Sequence, residues 1–296
     1  MMGALRQSAP ADFRSGRVAS GLDRAVQALL ADVGQRVIMP RFRNLLAHEV
    51  TEKSRGELVT VVDQEAEELL HHGLERLDPG SFAIGEEACA SQPALVDRLT
   101  SGRAWVIDPL DGTANFAAGR GPFGIIVALL VDGVTEAGWL YDPVAGRCCH
   151  AWRGEGAFVD GRRLRTAPSG RRPVAALATQ FLSSDSRERL HAEAAQAFEL
   201  VPIPRSAAEH YPRLALGQND LAVFQRTLPW DHAAGALLLM EAGGYVTRWN
   251  GSPYRIGDDG VGLIAAADQE TWARAIDVLG PTLSGIGRAD LVAQSL

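Results

Sequence analysis

The sequence has few cysteines, almost no lysine and no long apolar run, and each shortage narrows what the protein can be. Its three cysteines, Cys89, Cys148 and Cys149, are odd in number and two are adjacent, so they do not make a disulfide framework. This usage is typical of a reducing compartment, and we expect a cytoplasmic protein. Of the 29 basic residues only Lys53 is a lysine, so the other 28 are arginines. Lys53 is either an accident of composition or a position that arginine cannot serve.

The longest apolar run, residues 123–131, is much shorter than the ~20 residues that span a bilayer, and it predicts a buried strand. The first residues lack the basic and then apolar pattern of a signal peptide. We therefore expect no membrane partner and no export.

The net charge of −7, with a pI near 5.5, argues against a nucleic-acid partner, because binding of the phosphate backbone depends on basic surfaces. It does not exclude an anionic small molecule, since a bound metal ion supplies local positive charge. The length of 296 residues allows one large domain or two modest ones.

Hydrophobic periodicity predicts three segments along the chain. Residues 1–17 are polar and aperiodic and predict a disordered tail. Residues 18–167 predict an α+β subdomain. It begins with a long amphipathic helix over 18–46 that is broken at Pro40, and closely spaced strands over 124–159 indicate an antiparallel sheet. Residues 168–296 alternate strands and helices and predict a C-terminal α/β subdomain, which would complete any site that the acidic residues below form.

The predicted strand and helix boundaries determine where the acidic residues lie. Residues 57–62, 81–84 and 104–107 predict strands, and Asp63 is expected to cap a helix that runs to residue 77. In the C-terminal half we expect strands and helices in alternation: strands at 174–179, 221–224 and 261–265, and helices at 185–198, 231–242 and 269–279.

Acidic side chains follow these strand ends or open helices. Glu86 and Glu87 follow one strand, Asp108 and Asp111 follow another, and Asp231 opens a helix. Singly, each has an ordinary explanation as a helix cap, a turn or a solvated pair. Together they form a repelling cluster that needs cations, and all-oxygen ligands favour a hard ion such as Mg²⁺. No histidine or cysteine falls at zinc-ligand spacing.

Three segments resemble the signatures of the inositol monophosphatase family: residues 84–87 (IGEE), 105–116 (WVIDPLDGTANF) and 230–235 (WDHAAG). Residues 58–63, 154–158 and 241–244 support the resemblance, which extends from about residue 53 to the C-terminus. It implies an α/β fold, namely a layered αβαβα sandwich with a large antiparallel sheet and a smaller mixed sheet. It also implies a homodimer and Mg²⁺-dependent hydrolysis of a small phosphate monoester by a metal-activated water.

The resemblance further implies a ligand set for two to three Mg²⁺ ions. Glu86, Asp108 and the carbonyl of Leu110 would bind one ion, and Asp108, Asp111 and Asp231 would bind a second. A third, weaker ion would lie near Glu86 through water.

Catalytic roles follow from the same resemblance. Thr113, hydrogen-bonded to Asp63, would orient and deprotonate the attacking water, with Glu86 among the catalytic groups. The backbone N–H groups of Gly112 and Thr113 would hold phosphate oxygens at a helix start. Lys53, on a polar loop over residues 52–56, would lie close to the metals and contact a water or a phosphate oxygen.

The substrate side departs from the family pattern. Inositol-selective members carry a glycine that is missing from residues 205–211, and a glutamate for an inositol hydroxyl where this chain has Phe224 or Gln225. Arg226 is a candidate, beside Gly112, Thr113 and Asp231, for substrate binding through a second anionic group; the alternative is an ordinary surface arginine.

Inositol phosphate is therefore the default substrate of the family rather than a deduced one. Histidinol phosphate, a nucleotide phosphate and a sugar bisphosphate are alternatives on the same metal core. A different class of function also stays open, in which the chain keeps the fold and acts as a protein-binding module. The intact acidic residues count against that alternative, since a non-enzyme has no reason to keep four repelling carboxylates.

Overall fold

The computed structural model describes residues 16–54, 57–170 and 172–286. Its helices are α1 (Gly16–Val33), α2 (Met39–Arg41), α3 (Val61–Leu77), α4 (Glu86–Ser91), α5 (Thr113–Ala117), α6 (Ser184–Ala197), α7 (Ala207–Ala215), α8 (Pro229–Glu241) and α9 (Gln269–Gly285). A π-helical turn (Gly34–Ile38) joins α1 to α2, and 3₁₀ helices cover Ala47–Glu49 and Pro93–Thr100.

Three sheets lie among these helices. The strands are β1 (Val50–Ser54), β2 (Glu57–Thr60), β3 (Phe82–Gly85), β4 (Arg103–Asp111), β5 (Gly124–Val131), β6 (Val134–Asp142), β7 (Arg147–Trp152), β8 (Gly156–Val159), β9 (Arg162–Leu164), β10 (Val174–Ala178), β11 (Glu199–Leu200), β12 (Leu221–Phe224), β13 (Tyr245–Thr247) and β14 (Leu263–Ala266). The seven-stranded sheet runs β3 to β9 in sequence order and is antiparallel except for the β3–β4 pair. The five-stranded sheet, β11-β10-β12-β14-β13, is mixed, and β1 and β2 form a separate hairpin.

The layers follow from the alternation of side chains along each strand, because both faces of both large sheets are apolar. On β4, Trp105 and Ile107 face a cluster with α1 and α3, while Ala104 and Val106 face α7 and α8. On β12, Phe224 joins that second cluster, while the alternate residues face α6 and α9. The order helix, sheet, helix, sheet, helix confirms the predicted α/β sandwich.

The N-terminal helix differs from its prediction at both ends. Residues 16 and 17 already belong to α1, so the expected tail is two residues too long; its remaining part, residues 1–15, lies outside the described residues. The helix ends at Arg41 rather than near residue 46, after the π-helical turn. Pro40 lies in the first turn of α2, where its missing N–H is not needed, so Pro40 does not itself break the helix.

The start of α3 corrects the sequence interpretation by three residues. β2 ends at Thr60, and Thr60 caps α3 by accepting a hydrogen bond from the Val62 N–H at 3.1 Å. Asp63 is the third helical residue and closes a capping box, because its Oδ2 accepts from the Thr60 N–H at 2.7 Å. The periodicity also missed α7, in which Pro212 lies inside the helix.

No described helix combines the length and the apolar character that crossing a membrane requires. The subdomain division at residues 167/168 stays a proposal. It is supported by the strands, because the whole seven-stranded sheet precedes this point in sequence and the whole five-stranded sheet follows it. Helix α8 from the second half packs on β6 and β7 of the first, so the two halves share a buried cluster.

Candidate metal centre

Three aspartates, two from the end of β4 and one from the distant helix α8, converge at one end of the large sheet. One carboxylate oxygen from each of Asp108, Asp111 and Asp231 lies within 4.8 Å of the others. Asp108 and Asp111 are buried, and Asp231 is partly buried. The spacing is well inside the ~10 Å beyond which a shared ion would be excluded, given Mg²⁺–oxygen distances of ~2.0–2.1 Å.

A local irregularity in β4 brings the first two carboxylates together. Residues three apart on a regular strand point to opposite faces, but the β4–β5 register shifts between Asp108 and Asp111. Pro109 occupies this interruption, where it costs no ladder hydrogen bond. The Leu110 N–H donates to Asp108 Oδ1 at 3.1 Å, which fixes that carboxylate. Asp231 comes from the first turn of α8, where the helix dipole favours a negative charge.

The cluster is electrostatically unstable by itself. Burial raises the pKa of Asp108 well above its usual range, and the charges of Glu86, Asp111 and Asp231 raise it further. Burial, Glu86 and Asp111 raise the pKa of Asp231 to about 8. Burial also raises the pKa of Asp111 to about 6, although a hydrogen bond from Ser206 opposes it. Only oxygen donors are present, so these residues fit a hard divalent cation such as Mg²⁺.

Asp111 is held from the C-terminal half by a contact that the sequence did not reveal. Asp111 Oδ2 accepts hydrogen bonds from Ser206 Oγ at 2.5 Å and from the Ala208 N–H at 2.7 Å. Ser206 occupies the N-cap position of α7 but makes no side-chain cap bond to its own helix. A serine directly before a helix was the available signal, and it was hidden because α7 itself was not predicted.

Asp63 and Thr113 are hydrogen-bonded as expected. Thr113 Oγ1 lies 3.0 Å from Asp63 Oδ1 and 2.9 Å from the Leu110 carbonyl, so its single proton can go to either. Burial raises the pKa of Asp63 to about 6, although two hydrogen bonds from Thr60 oppose the rise. Gly112 precedes α5 with φ of +84°, and a Cβ there would also lie 3.0 Å from the Pro122 carbonyl oxygen.

Lys53 lies beside the two glutamates, but on a strand rather than the predicted loop. It belongs to β1; its ammonium lies 3.1 Å from Glu86 Oε1 and also bonds Glu87 Oε1. Burial lowers the pKa of Lys53, but Glu86 and Glu87 outweigh it and raise the pKa above its usual value. Lys53 is therefore a charged counter-ion of Glu86, and Glu86 acts on the three aspartates through its charge.

The position of Glu86 and Glu87 depends on α3. Glu67 accepts hydrogen bonds at 2.9 Å from the N–H groups of Glu87 and Ala88, which satisfies donors at the start of α4. A Cβ at Gly85 would lie 2.1 Å from the Glu67 carboxyl carbon, so a larger residue there would displace the Glu67 carboxylate from these N–H groups.

The substrate-side candidates are less open than the sequence suggested. Arg226 forms an ion pair with Glu57, and its guanidinium lies 4.7 Å above the Phe181 ring. Arg226 is not a freely solvated arginine, since only about a quarter of its side chain is exposed. Phe224 is buried against Tyr211, and the Gln225 amide is buried without a hydrogen-bond partner among the described residues. Neither position supplies a carboxylate for a sugar hydroxyl.

Comparisons with known proteins place these features in one family. Residues 21–279 match the model of the inositol monophosphatase family. An inositol-1-monophosphatase of Mycobacterium leprae is 38% identical over 221 residues, which are 71% of this chain and 73% of that protein. The Nus factor SuhB of Vibrio cholerae is 34% identical over 69% of this chain and 76% of its own length.

Solved structures agree on the fold. An IMPase of Thermotoga maritima superposes with a TM-score of 0.76 at 26% identity, over 90% of this chain and all of that one. An inositol monophosphatase of Zymomonas mobilis gives a TM-score of 0.70 at 26% identity, over 93% of this chain and 98% of that one.

Proposed function

Because the chain belongs to the inositol monophosphatase family, whose members are phosphoric monoester hydrolases, we propose that it hydrolyses a small phosphate monoester with Mg²⁺. The observation that carries the proposal is the convergence of Asp108, Asp111 and Asp231 within 4.8 Å. Three mutually repelling carboxylates are expensive to bury, and a divalent cation removes that cost.

The proposed ligands for two to three Mg²⁺ ions are the three aspartates, Glu86 and the Leu110 carbonyl. When bound, Mg²⁺ lowers the pKa of water, neutralises phosphate charge and stabilises the leaving oxygen. Lys53 orients Glu86, since its ammonium is hydrogen-bonded to that carboxylate.

Thr113 and Asp63 supply the path for the proton of the attacking water. Water donates to Thr113 Oγ1, and the hydroxyl passes its own proton to Asp63 Oδ1, 3.0 Å away. A carboxyl with a pKa of about 6 is suited to accept a proton near neutral pH and release it afterwards. The new P–O bond forms opposite the ester oxygen, which leaves with the electron pair of the broken bond. The N–H groups of Gly112 and Thr113 are the proposed phosphate donors.

The substrate is proposed only as a class. The absence of a carboxylate at Phe224 and Gln225 disfavours selectivity for inositol phosphate. Histidinol phosphate, nucleotide phosphates and sugar bisphosphates remain candidates. Arg226, which the sequence offered as the contact for a second anionic group, is already paired with Glu57. A partner-binding role is the second candidate, favoured by the resemblance to proteins named Nus factor.

We also propose that the protein is cytoplasmic and that it forms a homodimer. Light scattering of the purified protein would test the homodimer.

Purified protein assayed against a panel of phosphorylated metabolites tests the proposal. We expect phosphate release from at least one ester with Mg²⁺, none with EDTA, and none from Asp108→Asn. Asp185→Asn, which changes an exposed aspartate on α6, is the matched control and should behave as the parent. Full activity in EDTA, or no turnover of any ester with Mg²⁺, would overturn it.

A further inference from the structure

The β1–β2 hairpin carries Lys53, and among its described residues only Val59 and Thr60, at the end of β2, are buried. No residue of β1 or β2 belongs to the three buried clusters of the described chain. A cavity of about 540 Å³ instead lies beside the hairpin, lined by Lys53 and Val59 from the strands and by Gln64, Glu67 and Glu87 from α3 and α4. β2 contacts α5, and its last residue, Thr60, leads directly into α3. The outer end of the hairpin, where β1 ends and β2 begins at Glu57, therefore needs another support.

Charged contacts provide that support on both strands. Lys53 on β1 bonds Glu86 and Glu87, and Glu57 at the start of β2 pairs with Arg226. Glu57 and Arg226 are 169 positions apart in sequence, so their ion pair joins the hairpin to the C-terminal half. Each side chain is about one-quarter exposed, so the pair is partly shielded from solvent.

Arg226 is the fixed half of this contact. Its carbonyl lies 3.0 Å from His232 Nε2, and His232 Nδ1 lies 2.8 Å from the Tyr211 hydroxyl. His232 is itself buried, so these two contacts hold the backbone at Arg226 against a fixed ring. The guanidinium also lies 4.7 Å from the centre of the Phe181 ring. The backbone and the side chain of Arg226 are thus both held by contacts that do not involve the hairpin.

We propose that Glu57 and Arg226 are positioning residues, whose ion pair closes the outer end of the β1–β2 hairpin against the C-terminal half and so holds Lys53 on Glu86. Arg226 is the fixed partner of the pair, because its carbonyl contacts the buried His232 and its guanidinium lies on the Phe181 ring. The consequence for turnover rests on the proposed function, whereas the closure of the hairpin does not.

The lone lysine makes this closure measurable. An endoproteinase specific for lysine can cut the native chain only after Lys53, within β1. We expect Glu57→Gln and Arg226→Gln to be cut at least tenfold faster than the parent under native conditions, at unchanged Tm. The double variant should be cut no faster than either single variant, because both changes break the same pair. Arg189→Gln, which breaks an exposed pair with Glu193 on α6, is the control and should be cut at the parental rate.

Kinetics separate positioning from substrate contact. With any ester that the parent hydrolyses, both single variants should lower kcat by a similar factor, about three- to tenfold, at little-changed KM, and Glu57→Asp should recover part of the loss. Equal cutting of parent and Glu57→Gln would overturn the inference. So would a rise in KM for Arg226→Gln without faster cutting, which would make Arg226 a substrate contact. If the parent hydrolyses nothing, the proposed function fails while the cutting rates still decide the closure.

Discussion

The aspartate cluster and the β1–β2 hairpin both present charges to the same site, but they are held in opposite ways. Asp108, Asp111 and Asp231 project from a buried strand and a buried helix, so packing fixes them while their charges repel. The hairpin has attractive charge pairs through Lys53 and Glu57 but little packing. A rigid frame can hold groups that repel, whereas a weakly packed segment must be held by groups that attract.

The comparison predicts different signatures for substitutions in the two regions. Changes in the cluster should destroy activity and leave the metal-free protein as stable or more so, because they remove repulsion. Changes at Lys53 and Glu57 should lower kcat moderately and leave the free energy of unfolding almost unchanged, because neither residue belongs to a buried cluster.

Asp108→Asn should give the largest effect, a loss of at least about 10³-fold in kcat. Four other acids, Glu86, Asp111, Asp231 and Asp63, act on this carboxylate, so its removal takes away a proposed shared ligand and relieves repulsion at once. Turnover and thermal melting in EDTA and in excess Mg²⁺ measure both consequences. Near-parental turnover, or a clear drop in the Tm of the metal-free protein, would break the contrast between the two regions.

The pH dependence of stability should reveal the same repulsion in the metal-free protein. The pKa of Asp231 is raised from 3.8 to about 8, so the folded state favours its proton. That contribution is present below pH 4 and is lost as the pH rises towards 8, by at most about 1.4 kcal/mol per pH unit. Urea unfolding in EDTA should therefore show stability falling between pH 5 and 8.

Two comparisons isolate this effect from other titrations. Asp231→Asn in EDTA should flatten the fall, and Mg²⁺ should flatten it in the parent, because each removes the need for the proton. An identical slope for the parent with and without Mg²⁺ would show that the cluster does not titrate in this range.

Lys53→Arg should have a smaller effect, about a tenfold loss in kcat, equivalent to ~1.4 kcal/mol in the barrier. The ammonium is a compact donor between Glu86 and Glu87, and a forked guanidinium would crowd that space. Lys53→Ala should do at least as much harm, and neither should shift Tm appreciably. Parental kcat and Mg²⁺ dependence in Lys53→Arg would make the lone lysine an accident of composition.

The sequence predicted what depends on short-range pattern. Alternating apolar residues located both sheets, and acids at strand ends located the aspartates, because strand period and strand termini are local features. The placement of Lys53 on β1 was missed, since Val50 is the one apolar residue of this strand and no apolar period exists. The Glu57–Arg226 pair and the Ser206–Asp111 bond were also missed, because each joins residues whose proximity only the tertiary fold determines.

Ser206→Ala should give the smallest effect, and it tests how far packing alone holds the cluster. The hydroxyl of Ser206 donates one of two hydrogen bonds to Asp111 Oδ2, and the backbone N–H of Ala208 donates the other. Because the backbone donor remains, we expect only about a threefold loss in kcat, consistent with a net hydrogen-bond contribution of ~0.5–1.5 kcal/mol. Ser206→Thr keeps the hydroxyl and should restore most of the activity. The Mg²⁺ concentration for half activation should rise in Ser206→Ala and return in Ser206→Thr, which a purely structural loss would not produce. A loss as large as that of Asp108→Asn would show that the cluster, like the hairpin, depends on individual polar contacts rather than on its frame.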